Sequence, residues 1–244
     1  MMNISTDDDC LGFDTTCALA KHLKVIRYSD GFFSSIPHDF FQNWLGEQSD
    51  IGLFHIGKGS GVGVGSVVKY DSGAQNLRIG RFVAGGCRLK FILNGQHEMR
   101  TISTAMFSLF SEELQNPLQP QYQDSIVKND VWIGDETMML GGGIIENGCV
   151  IGARSLLPPN FRSEAYGIYA GTPAKLIRFR FSEKIREALL DLAWWDMPEL
   201  FGWIKQHMQF FLVDLTDDEA KSLDVICELK EEKQRWLATH ATPK

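Results

Sequence analysis

A chain of 244 residues of which 44% are apolar can bury a substantial core in one or two domains, and a net charge of −7 argues against nucleic acid or an anionic membrane surface as the main partner. The 5 cysteines (Cys10, Cys17, Cys87, Cys149, Cys227) make no CxxC pair, which argues against a zinc site or a disulfide framework and fits a reducing compartment. No basic-then-apolar leader opens the sequence and no apolar stretch is long enough to span a bilayer, so the expectation is a cytoplasmic protein with no membrane span and no metal.

Residues 1–54 are irregular in pattern. They hold the acidic run Asp7-Asp8-Asp9 and the aromatics Phe32, Phe33, Phe40, Phe41 and Trp44, as expected of an N-terminal cap over the adjoining segment. A six-residue beat then begins. Ile56-Gly-Lys-Gly-Ser60 and Val62-Gly-Val-Gly-Ser66 keep step and Val68 comes next; Ile79-Gly-Arg-Phe-Val83 and Gly85-Gly-Cys-Arg-Leu89 resume after a slip, with Phe91 after them. After Leu93 the beat stops until Asp124. It then runs unbroken, with Val127, Ile133, Met139, Ile145, Ile151 and Leu157 in the first position and Val131, Thr137, Gly143, Cys149 and Ser155 in the fifth.

Neither the 3.6-residue period of a helix nor the alternation of an ordinary strand produces that beat. A coil that turns a corner every six residues does. First-position side chains point inward, small fifth-position residues sit near the corners, and glycines such as Gly134, Gly141, Gly142, Gly148 and Gly152 suit corner backbone angles. The prediction is a mainly β fold: a parallel β-helix over residues 55–180, interrupted by an excursion loop over about 94–124. Trp132 falls within the ladder and is expected in the core. The run Gly57 to Gly65 is neither GxGxxG nor a P-loop and reads as coil corners.

From residue 181 the pattern becomes helical to residue 244. Ile185, Leu189 and Leu192 share helical spacing, with Ser182 as N-cap. Pro198 closes or restarts a helix after Trp194-Trp195-Asp196-Met197. Thr216-Asp-Asp-Glu219 reads as a capping box for a last helix with Ala220, Leu223, Ile226 and Leu229 on one face, supported by the pairs Asp217 to Lys221 and Glu231 to Arg235.

Three segments carry a family resemblance. They are Asn94-Gly-Gln-His97-Glu-Met-Arg100-Thr-Ile-Ser103-Thr104 followed by Phe107; Asn129-Asp-Val-Trp-Ile-Gly134; and Tyr169-Ala-Gly171-Thr-Pro173-Ala-Lys175 with Ile177-Arg178, Arg180-Phe181-Ser182 and Trp194-Trp195-Asp196. Together they resemble the hexapeptide-repeat acyltransferases, and within them the xenobiotic acetyltransferase group of type B chloramphenicol and streptogramin acetyltransferases and related sugar O-acetyltransferases. The resemblance spans residues 55–200. It implies a left-handed β-helix, a homotrimer with active sites between subunits, acetyl-CoA as donor, and a small-molecule hydroxyl acceptor, either a sugar or an antibiotic. Residues 1–54 and the last forty or so residues fall outside the family pattern, and acceptor recognition draws partly on the former.

Acetyl transfer from a thioester to a hydroxyl needs a base, and a histidine suits the task. His97 is the candidate; on its residues alone the reading as a surface loop histidine leads, and the match to the family's motif reverses this and assigns it to catalysis. Glu98 can orient its imidazole, or a backbone carbonyl does so instead. Backbone amides at the coil turns, with Ser103 or Thr104, are candidates for the oxyanion; for both side chains a local turn bond is the competing reading. Phe107 completes the acceptor-side set. Small residues Gly134, Gly152 and Ala153 fit a groove for the pantetheine arm. Arg154, Lys175 and Arg178 are candidate phosphate contacts, against the alternative of solvated surface charges. Ala170, Thr172 and Pro173 stand where the family holds the adenine end. N-acetylation of an amino sugar, or a trimeric scaffold without catalysis, are the alternative functions.

Overall fold

The computed structural model describes residues 4–45, 53–70, 76–93, 95–115, 118 and 123–240. Among the described residues, three sheets of six, nine and five strands line the coil; each coil turn from Phe54 to Leu157 contributes one strand to each, and antiparallel strands at both ends enlarge the second. In the turn from Ser125, the strands Ser125–Val127, Trp132–Ile133 and Met138–Leu140 lie in the first, second and third sheets. The next turn supplies Gly143–Ile145, Val150–Ile151 and Leu156–Leu157 in parallel register, for example Val127 to Ile145 and Ile133 to Ile151.

The register stacks identical positions of the beat, so the aliphatic first positions form buried ladders. Val127, Ile133, Met139, Ile145, Ile151 and Leu157 are all at most 2% exposed. Each such side chain contributes about 1.5–3 kcal/mol on burial, and only because a neighbouring turn covers it. The fifth positions Val131, Thr137, Cys149 and Ser155 are buried beside them.

The corners differ from the sequence expectation. The left-handed backbone falls in the fourth position of the beat, and at Phe82, Arg88, Asp130, Glu136, Arg154, Asn160 and Tyr166 a non-glycine residue adopts it, with φ between 56° and 61°. Gly142 and Gly148 share that position; Gly134 and Gly152 do not. Gly134 is needed for a different reason. A Cβ there would lie 2.5 Å from the Ala153 nitrogen of the next turn. Its glycine permits close stacking rather than an unusual φ.

The strands before residue 55 join the same sheets. Ile4–Thr6 pairs with Phe54–Ile56, Phe33–Pro37 meets Gly61–Val62 at Ser35, and Phe41–Gln42 pairs with Val67–Lys69. Cys10–Asp14 and Leu23–Tyr28 extend the second sheet antiparallel. Phe40, Phe41 and Phe54 pack edge to face inside this first turn.

Three corners organise everything else. The first, between the first and second sheets, is covered by the C-terminal helices Glu183–Leu192, Leu200–Gln206 and Glu219–His240. The Phe82 and Trp194 rings lie 4.8 Å apart there, tilted at 49°, and Arg81 bonds to the Trp195 carbonyl and Asp196. The second corner bears Arg88, Glu136 and Arg154. The third releases the excursion after Leu93. Two helical details depart from expectation. Asp218, not Thr216, caps the last helix, its carboxylate accepting from Lys221 N at 3.1 Å, because Thr216 is held by Asp214. Glu231 pairs with Arg235 at 3.1 Å, whereas Asp217 makes no ion pair with Lys221. Among the described residues no helix is long and apolar enough to cross a membrane.

Candidate active site

The excursion presents His97 on a turn that it ties internally. The imidazole is exposed, and its Nδ1 lies 2.6 Å from the Thr104 carbonyl oxygen. A carbonyl only accepts, so Nδ1 carries the proton and the lone pair of the neutral ring sits on Nε2. Glu98 is engaged elsewhere. Its buried carboxylate accepts from Arg100 N at 2.7 Å, Nε at 2.8 Å and Nη2 at 2.7 Å. Those bonds hold the Glu98 carboxyl down at about 2, so it stays ionised and bound to Arg100. Of the two orienting groups open from sequence, the contact is made by the backbone carbonyl.

Ser103 and Thr104 serve the turn. Thr101 Oγ1 donates to the Ser103 carbonyl at 2.8 Å and Ala105 N donates to Ser103 Oγ at 3.1 Å. Phe107 opens a short 3₁₀ turn, Phe107–Leu109, and is 49% exposed. Met99, Ile102 and Phe110 stand out further, each at least 80% exposed. The motif residue Asn94 lies outside the described residues.

The small residues gather at the second corner. Gly134, Gly152 and Ala170 stack, a Cβ on Gly152 lying 3.0 Å from the Ala170 Cβ. Exposed Ala153 follows, and then a charge ladder: Glu136 accepts from Arg88 Nη2 at 2.6 Å and from Arg154 Nε at 2.7 Å. Both arginines hold the Glu136 carboxyl below its usual range. Arg154 is therefore already half-neutralised. Thr172 and Pro173 are exposed in the turn above, between Gly167–Gly171 and its antiparallel partner Ala174–Phe179. Lys175, opposite Ala170, is exposed and makes no ion pair with another described residue, while Arg178 Nη1 donates to the Phe179 carbonyl at 3.0 Å.

Trp132 corrects the sequence reading. It is 59% exposed on the outer face of the second sheet, in register with Ala84 and Val150. With Ile168 and Arg178 it lines a 480 Å³ cavity. Strand alternation was the available signal: with Val131 and Ile133 inward, Trp132 must point outward.

His97 and the groove candidates thus stand on different corners of one chain. No hydrogen bond or ion pair among the described residues joins them.

The chain is 38% identical over 133 residues to a probable macrolide acetyltransferase of Lysinibacillus sphaericus, covering 52% of this chain and 73% of that protein. The chain belongs to this acetyltransferase family. It is also 39% identical over 148 residues to a chloramphenicol acetyltransferase of Escherichia coli, covering 56% of this chain and 66% of the relative. An Agrobacterium fabrum chloramphenicol acetyltransferase is 37% identical over 134 residues, covering 52% and 63%. The chain thus spans just under two thirds of the latter two. A crystal structure of an N-acyltransferase from Bacillus cereus matches with a TM-score of 0.42 and 16% identity, covering 66% of this chain and 87% of the other. No family model matches the chain.

Proposed function

We propose that this acetyltransferase moves an acetyl group from acetyl-CoA directly to a hydroxyl of a small-molecule acceptor, a sugar or an antibiotic. The observation that carries the reading is the hydrogen bond from His97 Nδ1 to the Thr104 carbonyl. It leaves Nε2 as the base. Acetyl-CoA supplies the activated thioester carbonyl. His97 Nε2 takes the acceptor's hydroxyl proton as that oxygen bonds to the acetyl carbon, and returns it to the departing sulfur when the C–S bond breaks. Atoms and charge balance without an acyl-enzyme.

The residues at the second corner fit the donor. Gly134, Gly152 and Ala153 leave a smooth edge beside a narrow arm, and Ala170, Thr172 and Pro173 continue it toward an adenine end. Lys175 is an exposed cation of this corner without an acidic partner among the described residues, and it leads Arg154 and Arg178 as the phosphate contact. At the acceptor side Phe107 supplies an apolar wall, and backbone amides, assisted by Ser103, face the oxyanion. Glu98 holds the turn through Arg100.

The assembly is a homotrimer of left-handed coils. Support comes from the corners: His97 leaves the third, the donor groove lies along the second, and a neighbour related by threefold rotation brings one against the other. Exposed Met99, Ile102 and Phe110 find cover in the same contact. The working division is residues 1–54 as cap, 55–180 as coil with the excursion at 94–124, and 181–244 as helical buttress. Five free cysteines fit a cytoplasmic setting.

Release of CoA thiol from acetyl-CoA in the presence of a panel of sugars and antibiotics tests the assignment. His97→Ala is expected to lower kcat by about a hundredfold or more with at least one acceptor. Equal rates for the wild type and His97→Ala with every acceptor would remove His97 from the chemistry.

A further inference from the structure

The interior of the coil is open at its first end. Ile4 and Thr6 stand in register with the core residues Phe54 and Ile56, so their side chains point inward. Phe13 pairs with Ile26 of the same core, and Cys10 packs against that core. Among the described residues no further turn stacks on this set. It encloses a cavity of 480 Å³, apolar along most of its wall and within the usual size range of small-molecule sites.

Lys24 breaks the apolar row. It lies two residues before Ile26 on the strand Leu23–Tyr28, and so on the same inward face, opposite the core residue Ile36. It lines the cavity, and its Nζ stands 5.7 Å from the centre of the buried Phe41 ring. A lysine that only covers the edge of a core carries its ammonium out to water. This one holds it over the end of the core. Burial lowers its pKa there, and exposed Asp39 offsets only part of that effect. The acidic residue on the wall is already matched: Asp14 accepts from Arg27 Nε at 2.9 Å and from the Thr16 and Cys17 amides. His38, at the rim, donates from Nε2 to the Ala20 carbonyl at 3.0 Å. A charge in apolar surroundings is best held by a counter-charge, and one that fits these walls must bring apolar surface with it.

We propose that this cavity binds a medium-chain carboxylic acid as its anion, with the carboxylate on Lys24 and the hydrocarbon chain against Ile4, Phe13 and Ile26. Such a molecule has no hydroxyl to receive an acetyl group. It is therefore a second ligand of the protein and not the acceptor.

Calorimetric titration of the full chain with octanoate tests this, with 1-octanol and acetate for comparison. We expect saturable one-to-one binding of octanoate that saturating acetyl-CoA does not displace, weaker binding of 1-octanol, and no binding of acetate at the same concentrations. Lys24→Met should weaken octanoate about tenfold, the scale of one charge-assisted hydrogen bond, and leave 1-octanol unchanged. Lys24→Arg should keep octanoate binding. Thr6→Phe or Ile4→Trp should weaken octanoate and 1-octanol together by filling the space. Absence of saturable octanoate binding, displacement by acetyl-CoA, acetate binding as tight as that of octanoate, equal octanoate affinity in Lys24→Met, or undiminished binding in both filled variants would each overturn the proposal.

Discussion

His97 is oriented by main chain, and this changes which side chains matter around it. Thr104 acts through its carbonyl, so replacing its side chain is expected to be mild. Glu98 acts one step away by closing the turn onto Arg100. We expect Glu98→Gln to lower kcat about tenfold through looser presentation of the imidazole, with the KM for acetyl-CoA unchanged. An unchanged kcat would show that the turn does not hold His97 in place. The pH dependence has a definite sign. The folded carboxyl sits at about 2, below its ordinary 4.5, so its bonds contribute fully above about 4.5 and are lost as pH falls through about 2. Hydrogen exchange at the Arg100 amide should therefore remain protected at pH 4 and lose protection near pH 2, relative to a free loop amide. Arg100 is largely exposed, so little global stability rides on the pair. At the donor end, Lys175→Glu is expected to raise the KM for acetyl-CoA roughly tenfold, the scale of one charge-assisted hydrogen bond, with a smaller effect from Arg154→Glu. Arg154 already shares Glu136; steady-state kinetics in acetyl-CoA decides the order.

At the scale of the element, the coil imposes two demands that look alike in sequence. One is left-handed φ in the fourth position, which Arg88, Asp130 and Glu136 meet without glycine. The other is close approach in the second position, which Gly134 meets because a Cβ would strike backbone at 2.5 Å. At Gly152 the nearest atom is the Ala170 Cβ at 3.0 Å, a milder conflict. Gly134→Ala should therefore cost about 1–3 kcal/mol and Gly152→Ala distinctly less, read as urea midpoints. Equal losses would mean that stacking distance is not what selects glycine. The ladder from Val127 to Leu157 is legible in the sequence because the same burial recurs turn after turn. The meaning of the glycines is not, since composition cannot separate a φ requirement from a steric one. The six-residue beat alone misplaces Trp132, because it ignores the alternation inside each strand. The strands before residue 55 stay hidden for another reason: Phe33–Pro37 and Phe41–Gln42 are short, lack the beat, and are fixed by pairing with the turn after them. Thr104 is unreadable as a partner of His97, because a carbonyl has no sequence signature.

The whole molecule divides its work by corner. The first is buttressed by the C-terminal helices, the second carries the small-residue edge and its charges, and the third emits the loop with His97. A single chain keeps the base and the proposed donor groove on separate corners, so assembly is part of the proposed chemistry. Two lesions distinguish this from a site within one chain. His97→Ala subunits and Lys175→Glu subunits each lack one half of every site when assembled alone. Unfolded together and refolded, they mix in the proposed trimer. If each site takes His97 from one copy and Lys175 from the next, random assortment leaves about a quarter of sites intact. Activity at low acetyl-CoA should then rise to about a quarter of wild type, against a near-background rate for the His97→Ala parent and about a tenth of wild type for the Lys175→Glu parent. A site built from one chain gives no such rise, because every chain carries a lesion. The loop residues offer an independent handle: Ile102→Glu with Phe110→Glu should shift the elution volume to that of the monomer while preserving the far-ultraviolet spectrum of the coil. A trimer unaffected by those charges would place the loop outside the subunit contact, and complementation would then fail for the same geometric reason.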